Sequence, residues 1–218
     1  MASSPPPRPR GRPARPDAEL RAAALEAATW LLLNEGYAAA TLEAVARRAG
    51  MAKKTVYRFA ANREDLVAQV VRGWTDTFVP VMAQEVGGAA DVLPALARVL
   101  QAIADRALSA EAVGMFRLLT ADFPARAALL AVYQENGIER GTGLLAGWFE
   151  KLAACGLIRI KEPRVTAGLL LAMTIAEPLR QMALGLAQPL PQGSVADRIQ
   201  ACVALFSGQG RVFEILPD

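Results

Sequence analysis

The sequence predicts an all-α fold of about nine helices: a small N-terminal three-helix unit built round a helix-turn-helix, then a larger helical domain. Three observations carry this. Apolar residues make up 53% of the chain, yet only 7 Phe, 3 Trp and 3 Tyr stand among many Ala and Leu. That composition favours helix over the β-branched and aromatic-rich strands of a sheet. Apolar side chains recur at helical spacing through most of the chain, and neither strand-like alternation nor an internal repeat interrupts the pattern. The expected division is a basic arm over residues 1–16, a first domain over 17–72 and a second over 73–218.

Charge is unevenly spread. Residues 1–72 carry 12 Lys and Arg against 7 Asp and Glu, whereas residues 73–218 carry 12 against 14. The basic surplus starts in the arm, where Arg8, Arg10, Arg12 and Arg15 alternate with prolines and Gly11, and no acid precedes Asp17. The prolines keep such a segment extended and unable to pack a core. An extended Arg-rich arm suits the narrow minor groove of A·T-rich DNA, where negative potential is concentrated. A merely solubilising tail is the other reading of the same composition.

Asp17 after Pro16 is placed to cap the first helix, and Leu20, Ala24, Ala27 or Ala28, and Leu31 recur at helical spacing until Asn34-Glu35-Gly36 ends it. Thr41 caps a short second helix, with Leu42, Val45, Ala46 and Ala49 on one stripe, Glu43 in the first turn, and Arg47 and Arg48 near the end. After Gly50 only Met51 and Ala52 intervene before the next helical run, Lys53 to Phe59. Two short helices meeting across a tight turn make a helix-turn-helix. The second of them turns Val56 and Phe59 or Ala60 inward, and Lys53, Lys54, Thr55, Tyr57 and Arg58 outward. A donor-rich basic face suits a major groove, and taken alone it also suits plain solvent exposure. Asn62 caps a fourth helix, with Asp65 three residues on in a capping-box arrangement, and Leu66, Val67, Val70, Val71 and Trp74 form its apolar side.

In register across these helices stand Gly36-Tyr37, Thr41-Leu42, Val45-Ala46, Ala49-Gly50-Met51, Lys53, Thr55-Val56-Tyr57 and Arg63-Glu64-Asp65-Leu66. The set resembles the N-terminal signature of TetR-family (TetR/AcrR-type) transcriptional regulators. The resemblance implies a sequence-specific regulator, chiefly a repressor, that binds palindromic double-stranded operator DNA as a homodimer. It implies phosphate contacts from Thr41, Tyr57 and Arg63, and a groove approach by Lys53, Lys54 and Thr55. Two positions depart from it: Ala52 stands where a small hydroxyl residue usually caps the recognition helix, and Phe59-Ala60 where His-Phe is common. Lys54 stands where glycine is frequent, adding a long donor for either a guanine edge or a phosphate.

Beyond Trp74 the helical pattern breaks at Pro80, Gly87-Gly88, Ser109, Phe123-Pro124, Gly156, Glu162-Pro163, residues 188–193 and Gly208. A helix near Asp91 to Leu108 gathers Val92, Leu96, Val99, Leu100 and Ile103. A long helix after Pro124 is weakened by Gly137, Gly141, Gly143 and Gly147, which either break it or line a pocket wall. Two late helices, about Pro163 to Ala187 and Ser194 to Phe206, are apolar round most of their circumference, with Pro178 set to kink the first. Their Leu169, Leu170, Met173, Ile199, Val203 and Phe206 are the expected dimer interface, where the family resemblance implies a four-helix contact. Phe78, Met82, Met115, Phe116, Phe123, Tyr133, Trp148, Phe149 and Met173 are candidates to line a site for an apolar or aromatic small molecule. Each also suits ordinary core packing.

Histidine is absent, and the two cysteines, Cys155 and Cys202, lie far apart in the sequence. The usual general base and the commonest metal ligand are therefore missing. Paired carboxylates at suggestive spacing, a phosphate-cradling glycine loop and a serine elbow are missing too, so a binding domain is expected rather than an enzyme, with no cofactor and no metal. The chain opens on Arg and Pro instead of an apolar leader, and the run Val165 to Ala176 is too short to span a bilayer. A cytoplasmic protein with reduced thiols and no membrane partner is expected. Its expected partners are operator DNA, an unidentified small-molecule effector and a second copy of the chain. One alternative is an architectural protein that coats DNA without sequence choice through its arm, and such a protein has little need of a large apolar second domain. Another is a small-molecule-binding enzyme with a basic N-terminal bundle, which would need the catalytic constellation that the sequence lacks.

Overall fold

Helix α1, Asp17–Asn34, begins on two acids, Asp17 and Glu19, which favour the positive end of its dipole. The computed structural model describes residues 15–207 and 213–216, so Arg8, Arg10 and Arg12 lie outside the described residues. Asp17 is the first helical residue and not the cap. Pro16, extended at ψ 144°, takes the cap position without a side-chain bond, and its carbonyl accepts the Leu20 N–H at 3.1 Å. Proline's fixed φ suits that place, so the helix starts one residue early.

Two other starts follow the expected chemistry. Thr41 caps α2 (Leu42–Arg48) by accepting the Ala44 N–H at 3.1 Å. Asn62 caps α4 (Arg63–Asp76) by accepting the Asp65 N–H at 2.8 Å, while Asp65 reaches back to the Ala61 N–H at 3.0 Å. Between them, α2 ends on Gly50 at φ +63°, with the Met51 N–H on the Ala46 carbonyl at 3.0 Å. This left-handed C-terminal turn, which glycine adopts without strain, launches α3 (Lys53–Phe59) at once.

The rest of the chain supplies α5 (Val79–Met82), α6 (Val92–Ala107), α7 (Ala110–Thr120), α8 (Arg126–Tyr133), α9 (Arg140–Ala154), α10 (Pro163–Leu171), α11 (Glu177–Ala183) and α12 (Ala196–Ser207). Helices α8 and α9 are joined without a break by a π-helical segment, Gln134–Glu139, and α10 and α11 by another, Ala172–Ala176. Counting each joined pair once and setting aside the single turn of α5 leaves nine helices among the described residues. Pro178 lies in the first turn of α11. It has no N–H to give the carbonyl four residues back, and the wide segment lies immediately before it. The expected kink is thus a local widening.

The sequence pattern did not disclose a strand, yet β1 (Ile158–Ile160) and β2 (Phe213–Ile215) pair antiparallel, with Arg159 opposite Glu214 and their side chains 2.8 Å apart. Three residues are too few for a legible alternation.

Two apolar cores fill the chain, and the division between them is not at residue 72. The first gathers α1 to α4 round Leu32, Val45, Val56 and Leu66, and takes in Met115 and Leu119 from α7 and Leu129 from α8. The second lies among α6, α9, α10 and α12. Helix α4 runs past the expected boundary to Asp76: its core residues lie in the first core, and it also touches α6 and α9.

Candidate functional site

The recognition helix α3 rests on Val56, fully buried, and Ala60, with Phe59 half-buried. Its outer face presents Lys53, Lys54, Tyr57 and Arg58 exposed, and Thr55 half-buried. Nothing caps the helix: Ala52 offers no side-chain acceptor. Several of the expected DNA-contacting groups are held by neighbours. The Tyr57 hydroxyl donates to Glu43 Oε1 at 2.7 Å, and Lys53 Nζ lies 3.7 Å from the same oxygen. The bond from Tyr57 holds the Glu43 carboxyl below the usual range and pushes the Tyr57 phenol up. Arg58 Nη2 pairs with Asp17 at 2.6 Å, which ties α3 to the start of α1.

Arg63, at the start of α4, stacks over the Tyr37 ring at 4.9 Å, and its Nε is buried without a hydrogen-bond partner. Tyr37, 3% exposed, donates to Glu64 at 2.8 Å. Burial, then that bond, pushes its phenol up to about 12. Thr41 spends its oxygen as the cap acceptor, which leaves its hydroxyl proton for a phosphate. Glu43 and Tyr37, which hold the expected contacts Tyr57 and Arg63, stand at the first-turn acid of α2 and in the quoted motif run, where the sequence already marked them.

The far end of α4 opens onto a cavity of about 540 Å³, within the roughly 300–1,000 Å³ of ordinary ligand sites. Val71, Trp74 and Thr75 of α4 face Ile103 and Arg106 of α6, Phe116 of α7, and Leu171, Ile175 and Leu179 of the late helices. Both π segments reach the wall, through Gly137 and Ile138 on one side and Ala172, Ile175 and Ala176 on the other. Of the expected liners, Phe78, Phe116 and Tyr133 stand on this wall. Met82, Trp148 and Phe149 are buried in the second core, Met115 is buried in the first with Phe123 packed against it, and Met173 packs against the second. The physical reason is volume: bulky side chains fill space, whereas the cavity persists where Gly137, Gly141, Gly168 and several alanines leave it empty. Arg106 was missed, although it falls three residues after Ile103 on the apolar side of α6, an unusual place for a cation.

Of the expected interface residues, Leu170, Ile199 and Val203 are turned into the chain's own core at 0%, 1% and 6% exposure. A side chain so buried has no surface to give a partner, and α6 and α9 already cover these faces. Leu169 is exposed and Met173 partly buried. Phe206 falls within α12, with its side chain outside the described ones. Val165, Leu184, Leu186 and Leu205 stand exposed on the same late segments.

A helix-turn-helix followed by a helix that runs on into a larger helical domain is the architecture of a transcriptional regulator. Residues 24–70 match the family model of bacterial regulatory proteins of the TetR family, and residues 94–209 that of the C-terminal domain of AefR-like transcriptional repressors. The chain belongs to the TetR family, whose members are DNA-binding regulators and not enzymes. A TetR regulator from Agrobacterium tumefaciens shares the fold at TM-score 0.67 and 19% identity, over 85% of this chain and 92% of that one. The flavonoid-responsive regulator FrrA aligns at TM-score 0.62 and 21% identity, over 87% and 95%. The SmeT–triclosan complex aligns at TM-score 0.57 and 18% identity, over 92% and 100%. No functionally curated protein matches the chain. Among the described residues, no helix is long and apolar enough to cross a membrane.

Proposed function

We propose that this chain is a cytoplasmic, homodimeric repressor that leaves a palindromic operator when a small apolar or aromatic effector enters the cavity. The observation that carries the reading is α4 itself: Arg63 begins it beside the recognition helix, and Val71, Trp74 and Thr75 at its other end line the cavity. Arg140 of α9 donates to Thr75 Oγ1 at 2.8 Å and pairs with Asp76, so the cavity end of α4 is tied to the glycine-rich wall. A molecule that binds one placement of α4 better than another biases the spacing of two recognition helices, and differential affinity is all that this needs.

The names of FrrA and the SmeT complex support a ligand of aromatic character. The exposed Val165, Leu169, Leu184, Leu186 and Leu205 support pairing through the late helices, where a two-fold partner would cover them. In the dimer, Lys53, Lys54 and Thr55 enter successive major grooves, Thr41, Tyr57 and Arg63 take phosphates, and the arm's Arg8, Arg10 and Arg12 enter the minor groove.

Selection of bound duplexes from a random pool by the full chain tests this. The expected result is a palindrome with half-sites about one helical turn apart. Lys54→Ala and Thr55→Val should relax the choice at one position per half-site by about 1–3 kcal/mol, whereas Tyr57→Phe and Arg63→Ala should weaken every sequence alike. Recovery of no motif overturns the reading.

A further inference from the structure

The residues that line the cavity include two cations, Arg106 and Arg180, and no carboxylate. Arg180 is matched: its Nε and Nη2 donate to the two oxygens of Glu177 at 2.8 and 2.7 Å, the bidentate geometry of a satisfied pair. Arg106 is matched only in part. Its Nη1 forms an ion pair with Glu111 at 3.5 Å, but it makes no hydrogen bond among the described residues, and its Nε is buried without a hydrogen-bond partner. The side chain is only 22% exposed, and burial pushes the guanidinium down from its ordinary pKa. The guanidinium carbon lies 4.4 Å from the ring centroid of Trp74, itself a wall residue. An arginine over an indole ring keeps its planar fork of donors in a fixed neighbourhood, and a partly paired charge against an apolar wall gains most from a desolvated anion. Tyr133 on the same wall is kept a neutral hydroxyl by burial, a donor and not a competing anion.

We propose that the effector is an apolar organic acid whose ionised group is held by Arg106, while its body lies against Trp74, Phe116, Leu171 and Leu179. This rests on the cavity being the effector site. The acid is carried on either an aromatic or an aliphatic body, and matched probes separate the two: 2-naphthoate against 2-naphthylmethanol, and decanoate against decanol.

Calorimetric titration of the full chain with each probe at neutral pH is the test. In at least one pair the acid should bind about tenfold or more tightly than its alcohol, the worth of a charge-assisted pair. Arg106→Met should erase that preference and leave the alcohol's affinity within about twofold, and Arg180→Met should change neither. The wild-type comparison needs no variant, so a poorly folded Arg106→Met does not blunt the test. An alcohol that binds as well as its acid in both pairs overturns the acid assignment and leaves the effector site standing, as does an acid preference that survives Arg106→Met. Binding of none of the four probes overturns the assignment and the effector site together.

Discussion

The DNA-reading half and the cavity half of this chain follow opposite rules. Round α3 the helices are regular, two of them start on side-chain caps, and most polar groups have close partners, with Arg63 Nε the exception: Arg58 on Asp17, Tyr57 on Glu43, Tyr37 on Glu64. Round the cavity two long helices widen into π segments, glycines and alanines stand where bulk would fill, and Arg106 lacks a full partner. A surface read in one geometry is held by satisfied local bonds. The irregular backbone and partly met charge round the cavity are what the proposed effector site would need, since a bound ligand can complete them.

The largest test of that contrast asks whether the two halves are separable. Leu129 of α8, fully buried, packs into the first core from the part of the chain that follows α4. Leu129→Ala should cost about 2–5 kcal/mol and lower a single thermal transition of the whole chain. Two calorimetric transitions, with only one moved, would break the shared-core reading.

A second change should separate sensing from reading. Gly141 lines the cavity, and a Cβ built on it meets nothing within 4 Å. Gly141→Leu should fill the cavity and raise effector Kd by about tenfold or more, as titration would show, while operator affinity in gel shifts stays within about twofold. Loss of operator binding as well would mean that the cavity wall shapes the reader even when empty.

The third sharpens the reader's one local flaw. Ala52→Ser should supply the missing cap of α3 and stabilise the chain by about 0.5–2 kcal/mol in denaturant unfolding, while Thr41→Ala should lose a similar amount. No gain from Ala52→Ser would mean that the uncapped N–H groups are already met by solvent at no cost.

The smallest effect is a pH dependence. The Tyr37 phenol is raised from 10.0 to about 12 by burial first and by its bond to Glu64 second. Because the folded value is the higher one, its contribution to stability is fully present below pH 10 and is lost as pH rises from 10 towards 12. The Tm of the wild type should fall more steeply across that window than the Tm of Tyr37→Phe. Parallel curves would show that Tyr37 titrates as it does in the unfolded chain.

The parts legible in the sequence are those decided within a turn or two of helix. Thr41 and Asn62 are read as caps and act as caps, Gly50 is read as a stop and adopts a left-handed turn, and the spacing of Val56 and Ala60 gives the inward side of α3. Asp17 is a near miss of the same kind, since Pro16 competes for one position. Where the structure places residues away from their expected surroundings, the cause is of another sort. Met82, Met115, Trp148 and Phe149 were chosen by residue type, and bulk that can line a space can equally fill it. Leu170, Ile199 and Val203 are inward on apolar helices, but inward faced the chain itself.

Taken by itself, the sequence determined the helices, their caps and turns, and the basic face of α3, because each of these depends on residues no more than about four positions apart. Only the tertiary structure decided where the cavity lies and that Arg106 stands on its wall with Trp74. A cavity is the volume that distant segments leave unfilled, and helical spacing says which side of a helix is buried without saying what it is buried against.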